Sequence, residues 1–222
     1  MTTSQSGAGT KGVPRADRER QILAAATTEF GRRGYEGASL AAIAQQVGVT
    51  KTLLHQYFGS KQDLYLACLA PVGERLIGAM RTAMAESGSP LDAPLAVLRA
   101  VFTALEGSRE GWFVLYDSTQ PPDGEAALAA RDYRAAIDRL AAAGSAEVLR
   151  AAGPAGTAAG RPLDALDPLD ADALKYAWRG LVTGLVHWWI RHPEQSPDAM
   201  AQRCARLFAT AGSVFGRPPA DA

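Results

Sequence analysis

Between Gly48 and Lys61 the chain reads GVTKTLLHQYFGSK, a run dense in groups that recognise rather than react. Thr50, Lys51, Thr52, His55, Gln56, Tyr57 and Lys61 surround Leu54 and Phe58, which lie one helical turn apart. If those two turn inward, Lys51, Thr52, His55 and Gln56 must occupy the other faces of the same helix. These side chains suit base edges: Gln can bond adenine through two atoms, Lys can reach guanine O6 or N7, and Thr offers a hydroxyl or a methyl group. Thr50 at the helix start leaves unpaired backbone N–H groups, which suit a phosphate oxygen. Tyr57 offers a phenolic O–H to a DNA backbone. Lys61 opens the following helix, where the helix dipole disfavours a cation, so a phosphate contact would account for it. The blander alternative is a solvated polar face on a short helix.

Other chemistries find little support. No GxSxG, HExxH or glycine-rich phosphate loop occurs, and the three histidines stand without carboxylate pairs nearby, which argues against an enzyme. The two cysteines, Cys68 and Cys204, are far apart and in no metal spacing. They read as buried thiols of a reducing, cytoplasmic protein, and neither a metal nor another cofactor is expected. The most apolar stretch, residues 173–190, carries Lys175, Arg179 and His187, so no membrane span is expected.

The elements that must position the polar run are helical. The chain is 47% hydrophobic and 21% charged, and β-branched clusters are scarce. Residues 15–33 place Ile22, Leu23, Ala26 and Phe30 on one face, and Gly34 supplies a stop. Ser39 caps a short helix, LAAIAQQV, that Gly48 ends. Thr50 caps the next and Gly59 breaks it. Ser60 caps a long one. Two short helices joined by a glycine turn have the shape of a helix-turn-helix, whose second helix enters the major groove. Residues 1–64 hold eight Lys and Arg against five Asp and Glu, and the remainder fifteen against eighteen, so a polyanion partner suits the first part alone.

In the body, Ser89 with Pro90 predicts a helix start that runs to about Glu106. A short apolar segment follows at 111–118, then a helix from about Asp123 to Ala143 or Leu149, a Gly/Pro/Ala-rich loop at 152–169, and helices at about 170–192 and 197–215. The first of these last two carries an apolar stripe (Leu174, Trp178, Leu181, Val182, Leu185, Trp188, Trp189) flanked by Gly180 and Gly184. The second carries Met200, Cys204, Leu207, Phe208, Ala211 and Val214. An apolar site could be lined by Phe102, Trp112, Phe113, Tyr116, Tyr133 and Trp178, which would favour a lipophilic or aromatic ligand. An ordinary aromatic core is the alternative.

Residues 18–68, RERQILAAATTEFGRRGYEGASLAAIAQQVGVTKTLLHQYFGSKQDLYLAC, resemble the DNA-binding region of the tetracycline-repressor (TetR) family. The resemblance rests on Ile22 to Ala26, Phe30 to Tyr35, Ser39 with Ile43 and Ala44, Gly48 to Lys51, and Tyr57 to Leu64. It implies an all-α chain of about nine helices: a three-helix helix-turn-helix domain over 15–62, and a ligand-binding and dimerisation domain over 63–216. A disordered arm, 1–14, and a tail, 217–222, complete the expected division. It implies a homodimer on double-stranded DNA with two half-sites, most often a repressor released by a small-molecule effector. Ser39, Thr50, Lys51, Thr52, Gln56, Tyr57 and Lys61 fall at the family's DNA-contact positions, with His55 on the same helix. His55 and Leu53 depart from the family's usual aromatic residue and Thr. The dimer face is expected at Gly180, Gly184, His187, Trp188, Cys204, Leu207, Phe208 and Ala211.

Overall fold

The computed structural model describes residues 13–152 and 168–215. The expected N-terminal arm up to residue 12, most of the 152–169 loop and the 217–222 tail lie outside the described residues. So does the side chain of Ala211. Among the described residues there are nine helices and no strand.

Helix α1 spans Arg15–Gly37 and buries Ile22, Ala25, Ala26 and Phe30. Its regular path breaks at Gly34, whose φ of 69° lies where glycine alone is at ease. The expected stop is therefore real, but one further turn follows it. Helix α2 (Leu40–Val47) is capped by Ser39, whose hydroxyl accepts from the Ala42 N–H. Gly48 ends α2 in the left-handed conformation, and its N–H and that of Val49 return to the Gln45 and Ala44 carbonyls. Helix α3 (Lys51–Phe58) is capped by Thr50, which accepts from the Leu53 N–H. Helix α4 (Lys61–Glu86) opens with a reciprocal cap between Ser60 and Asp63.

Helix α5 is Ala93–Leu105, not a helix starting at Pro90. Residues 90–92 form a turn in which the Asp92 and Ala93 N–H groups bond the Ser89 carbonyl. Pro94, in the first helical turn, takes the place predicted for Pro90. A five-residue α6 (Gly111–Leu115) leads to α7 (Glu125–Ala152), α8 (Pro168–Ile190) and α9 (Pro197–Phe215).

One continuous apolar core joins all of this, with Phe30, Tyr65, Phe102, Trp112 and Trp189 among its largest members. Helix α6 sits at its centre. On one side, Gly31 of α1 lies so close to Glu110, at the start of α6, that an added Cβ would stand 2.5 Å from its carbonyl oxygen. There Arg32 also pairs with Glu110 at 3.0 Å. On the other side, Trp112 donates its indole N–H to Thr183 of α8 at 2.9 Å, and Phe113 meets His187 edge-on. Arg109 donates to the Trp189 and Pro193 carbonyls at the end of α8.

Candidate nucleic-acid interface

Leu54 is 1% exposed and Phe58 is half-buried against the core, so α3 is pinned by the face the sequence indicated. Lys51, Thr52, His55 and Gln56 are all exposed, as are the capping residues Thr50 and Ser39. The caps hold the starts of α2 and α3 with their oxygen lone pairs, which leaves each hydroxyl proton free to donate to a phosphate oxygen. Lys51 enters no ion pair among the described residues, so its ammonium is uncommitted.

The other two expected contacts are half-buried and already engaged. The Tyr57 ring packs near Phe58, and the Arg15 guanidinium lies 5.1 Å from its centre. Lys61 donates to the Glu36 carbonyl at 3.2 Å and stands 5.1 Å from the centre of the Tyr35 ring. Its place at the start of α4 thus has an intramolecular cause, because it neutralises the carbonyl end of α1. His55 likewise bonds within the chain, its Nδ1 2.6 Å from the Gly59 carbonyl oxygen. Since a carbonyl only accepts, Nδ1 carries the proton in this bond, and Nε2 is the ring's remaining polar atom.

The basic surplus of the N-terminal part is also smaller at the surface than the sequence count. Arg18 is buried and bonds Gln21 and the Val47 carbonyl. Arg20, Arg32 and Arg33 pair with Asp17, Glu110 and Glu29. Arg15, exposed beside Tyr57, is a basic neighbour of α3 that the motif reading missed.

Just behind this unit lies a buried carboxylate that periodicity did not reveal. Asp117 accepts from the Tyr35 N–H at 2.6 Å and from the Thr119 N–H and hydroxyl at 2.9 Å. Tyr65 donates to the Val114 carbonyl at 2.5 Å, and Gln120 donates to the Tyr65 hydroxyl. Gly34 makes room here, since a Cβ would meet Thr119 Oγ1 and Asp117 Oδ1. The last turn of α1 is therefore held by the body.

The six aromatic residues expected around a ligand are not one cluster. Trp112 and Tyr116 meet at 4.6 Å between ring centres, tilted by 40°, but Phe102 packs on Trp189 and Tyr133 covers Gly73. Phe113 meets His187, and Trp178 is half-buried. Two open clefts of about 590 Å³ each lie along α1, and neither touches these six residues. At the expected dimer face, Gly180, Gly184, His187 and Leu207 are exposed, with open space beside both glycines. Trp188 and Phe208 are half-buried. Cys204 is not on this face: it lies wholly inside the chain's own core. Among the described residues no group of carboxylates, histidines and cysteines could hold a metal, and no helix is long and apolar enough to cross a membrane.

The described residues thus join a capped helix-turn-helix to an all-helical body. Residues 22–68 match the model of bacterial regulatory proteins of the tetR family. The chain is 33% identical over 106 residues to the HTH-type transcriptional activator FasR of Mycolicibacterium smegmatis, covering 48% of each protein. A TetR-like transcriptional regulator from Rhodococcus sp. RHA1 superposes with a TM-score of 0.61 at 25% identity, over 87% of this chain and 94% of that one. FadR of Bacillus subtilis, solved in complex with stearoyl-CoA, shares the fold at a TM-score of 0.58 and 17% identity, over 85% and 96%. The chain spans about half the length of the curated relatives it matches. Residues 22–68 thus match the DNA-binding region of the tetR family, and the chain as a whole is similar in fold to TetR-like transcriptional regulators.

Proposed function

We propose that this protein is a ligand-responsive regulator that reads its operator with α3. The observation that carries this is the division of α3 itself: Leu54 is sealed in the core, while Lys51, Thr52, His55 and Gln56 stand in solvent on a helix with a capped tip. A helix so mounted fits the major groove, with Lys51 and Gln56 as base readers and Ser39, Thr50, Tyr57 and Lys61 toward phosphates. For Tyr57 and Lys61 this means leaving their present partners.

The exposed face of α8 and α9 supports a homodimer. Tyr176 is 62% exposed and Leu207 45% exposed, and Gly180 and Gly184 leave room for a helix to approach. A two-fold dimer would present two α3 helices to half-sites about one DNA turn, roughly 34 Å, apart. The division into a DNA-binding unit to about residue 62 and an effector and dimer unit beyond belongs to the same proposal. The effector is small and largely apolar or aromatic, as Trp112, Phe113 and Tyr116 around α6 suggest, and it acts by favouring a dimer with the wrong spacing. Release on effector binding makes the protein a repressor.

The test is fluorescence anisotropy on DNA from upstream of the protein's own gene. Binding should be sequence-specific and should weaken steeply with added salt. Equal binding to scrambled DNA at every salt concentration would overturn the reading. One observation favours DNA binding without ligand control: Phe102 and Trp112 are tightly packed, and the two clefts lie elsewhere. An anisotropy signal indifferent to every apolar compound would select that alternative.

A further inference from the structure

Between α6, α7 and α8 lies a charged group that the aromatic reading of the body leaves unused. Arg179 of α8 reaches Asp138 of α7 through a single nitrogen, Nη2, at 2.9 and 2.7 Å from the two carboxylate oxygens. Its guanidinium carbon stands 5.3 Å from the centre of the Tyr116 ring and 5.0 Å from that of Tyr176. Two polar atoms of this group are buried with no hydrogen-bond partner: Arg179 Nε and the Tyr116 hydroxyl. Burial pushes the Tyr116 hydroxyl up to about 12 despite the nearby Arg179, so it stays a protonated donor.

Buried polar atoms without partners are uncommon, and each calls for an explanation. Two in one cluster point to one missing group. Arg179 Nε can only donate, so the missing group must accept. The charges around Tyr116 are Arg179 and Arg134 against Asp138, leaving one positive charge in excess. A planar anion with two acceptor oxygens answers both the geometry of a guanidinium edge and that excess.

We propose that Arg179 and Tyr116 form the head-group site of the effector, and that the effector carries a carboxylate at the end of an apolar body. The proposal rests on the reading of the body as an effector unit. In it, Trp112 and Tyr116, whose ring centres lie 4.6 Å apart, border the apolar portion, and Asp138 competes with the ligand for Arg179.

The test uses the full chain and matched probes: 4-phenylbutyrate, 4-phenylbutanol and 4-phenylbutylamine, with decanoate, decanol and decylamine. Binding is read from tryptophan fluorescence and, in parallel, from release of operator DNA. Each acid should bind about tenfold or more tighter than its alcohol, the size of a charge-assisted hydrogen bond. Arg179→Met should bring that acid-to-alcohol ratio close to one, and Tyr116→Phe should lower it less. Asp138→Asn should raise it, because Arg179 then has no competing anion. That increase separates a ligand site from a merely structural ion pair, whose loss would lower stability and leave the ratio alone. If the alcohols or amines bind as well as the acids, the head-group assignment falls and the effector reading stands. If none of the six binds or releases DNA, both fall. A ratio unchanged in both Arg179→Met and Asp138→Asn overturns the site even where the acids bind.

Discussion

Helices α3 and α6 are both short, and both follow tight turns, yet they are used in opposite ways. Four of the eight residues of α3 are exposed and only Leu54 is buried, whereas four of the five residues of α6 are buried. Helix α3 is held from one side and offers the other to a partner. Helix α6 is held from both sides, by α1 through Glu110 and by α8 through Trp112 and Arg109. Side chains on α3 can therefore change what is recognised with little effect on folding. Those on α6 cannot change without moving the two helices it separates.

Substitutions can break that contrast or sharpen it. Trp112→Ala should have the largest effect, about 3–5 kcal/mol of stability, because it removes a fully buried indole and its bond to Thr183. Urea unfolding would measure it, and a loss below about 1 kcal/mol would contradict the central place given to α6. Gly31→Ala should follow, at about 1–3 kcal/mol, because its new methyl group meets the Glu110 backbone and forces α1 off α6. On α3 the pattern should reverse. Gln56→Ala should weaken operator binding by about 1–3 kcal/mol and shift the urea midpoint hardly at all, since nothing in the core touches it. Smallest of all should be Arg32→Ala. That pair is 63% exposed on the arginine side, so its loss should cost under about 1 kcal/mol, fading in high salt.

The N-terminal unit was readable because its signals are local. Ser39, Thr50 and Ser60 cap helices through bonds to residues three positions on, and Gly34, Gly48 and Gly59 all take positive φ. A caps-and-breaks reading needs no knowledge of tertiary structure. Where two signals of one kind lie close together such a reading fails: Pro90 offers itself as the start of α5, and Pro94 holds that place. The partners that periodicity does not show have longer range. Lys61 answers Glu36, twenty-five residues away, and Arg179 answers Asp138 across forty-one. The count of basic residues near the start could not show that Arg18 turns inward or that Glu110, far along the chain, takes up Arg32. In the same way an apolar stripe on α9 does not say which of its members face a second chain, and Cys204 faces its own.

The two thiols fall one in each half of the molecule. Cys68 lies under α1, its sulfur 3.8 Å from the Leu23 carbonyl, and Cys204 is wholly buried on the inner side of α9. Burial raises both well beyond the usual thiol range, to about 12 and about 11, so neither offers a thiolate to an electrophile while its cover stays in place. The chain thus carries its own pair of opening sensors. Under a slow maleimide, early labelling at Cys68 would time the lifting of α1 from α4, and early labelling at Cys204 would time the release of α9 from the body, with no label engineered in.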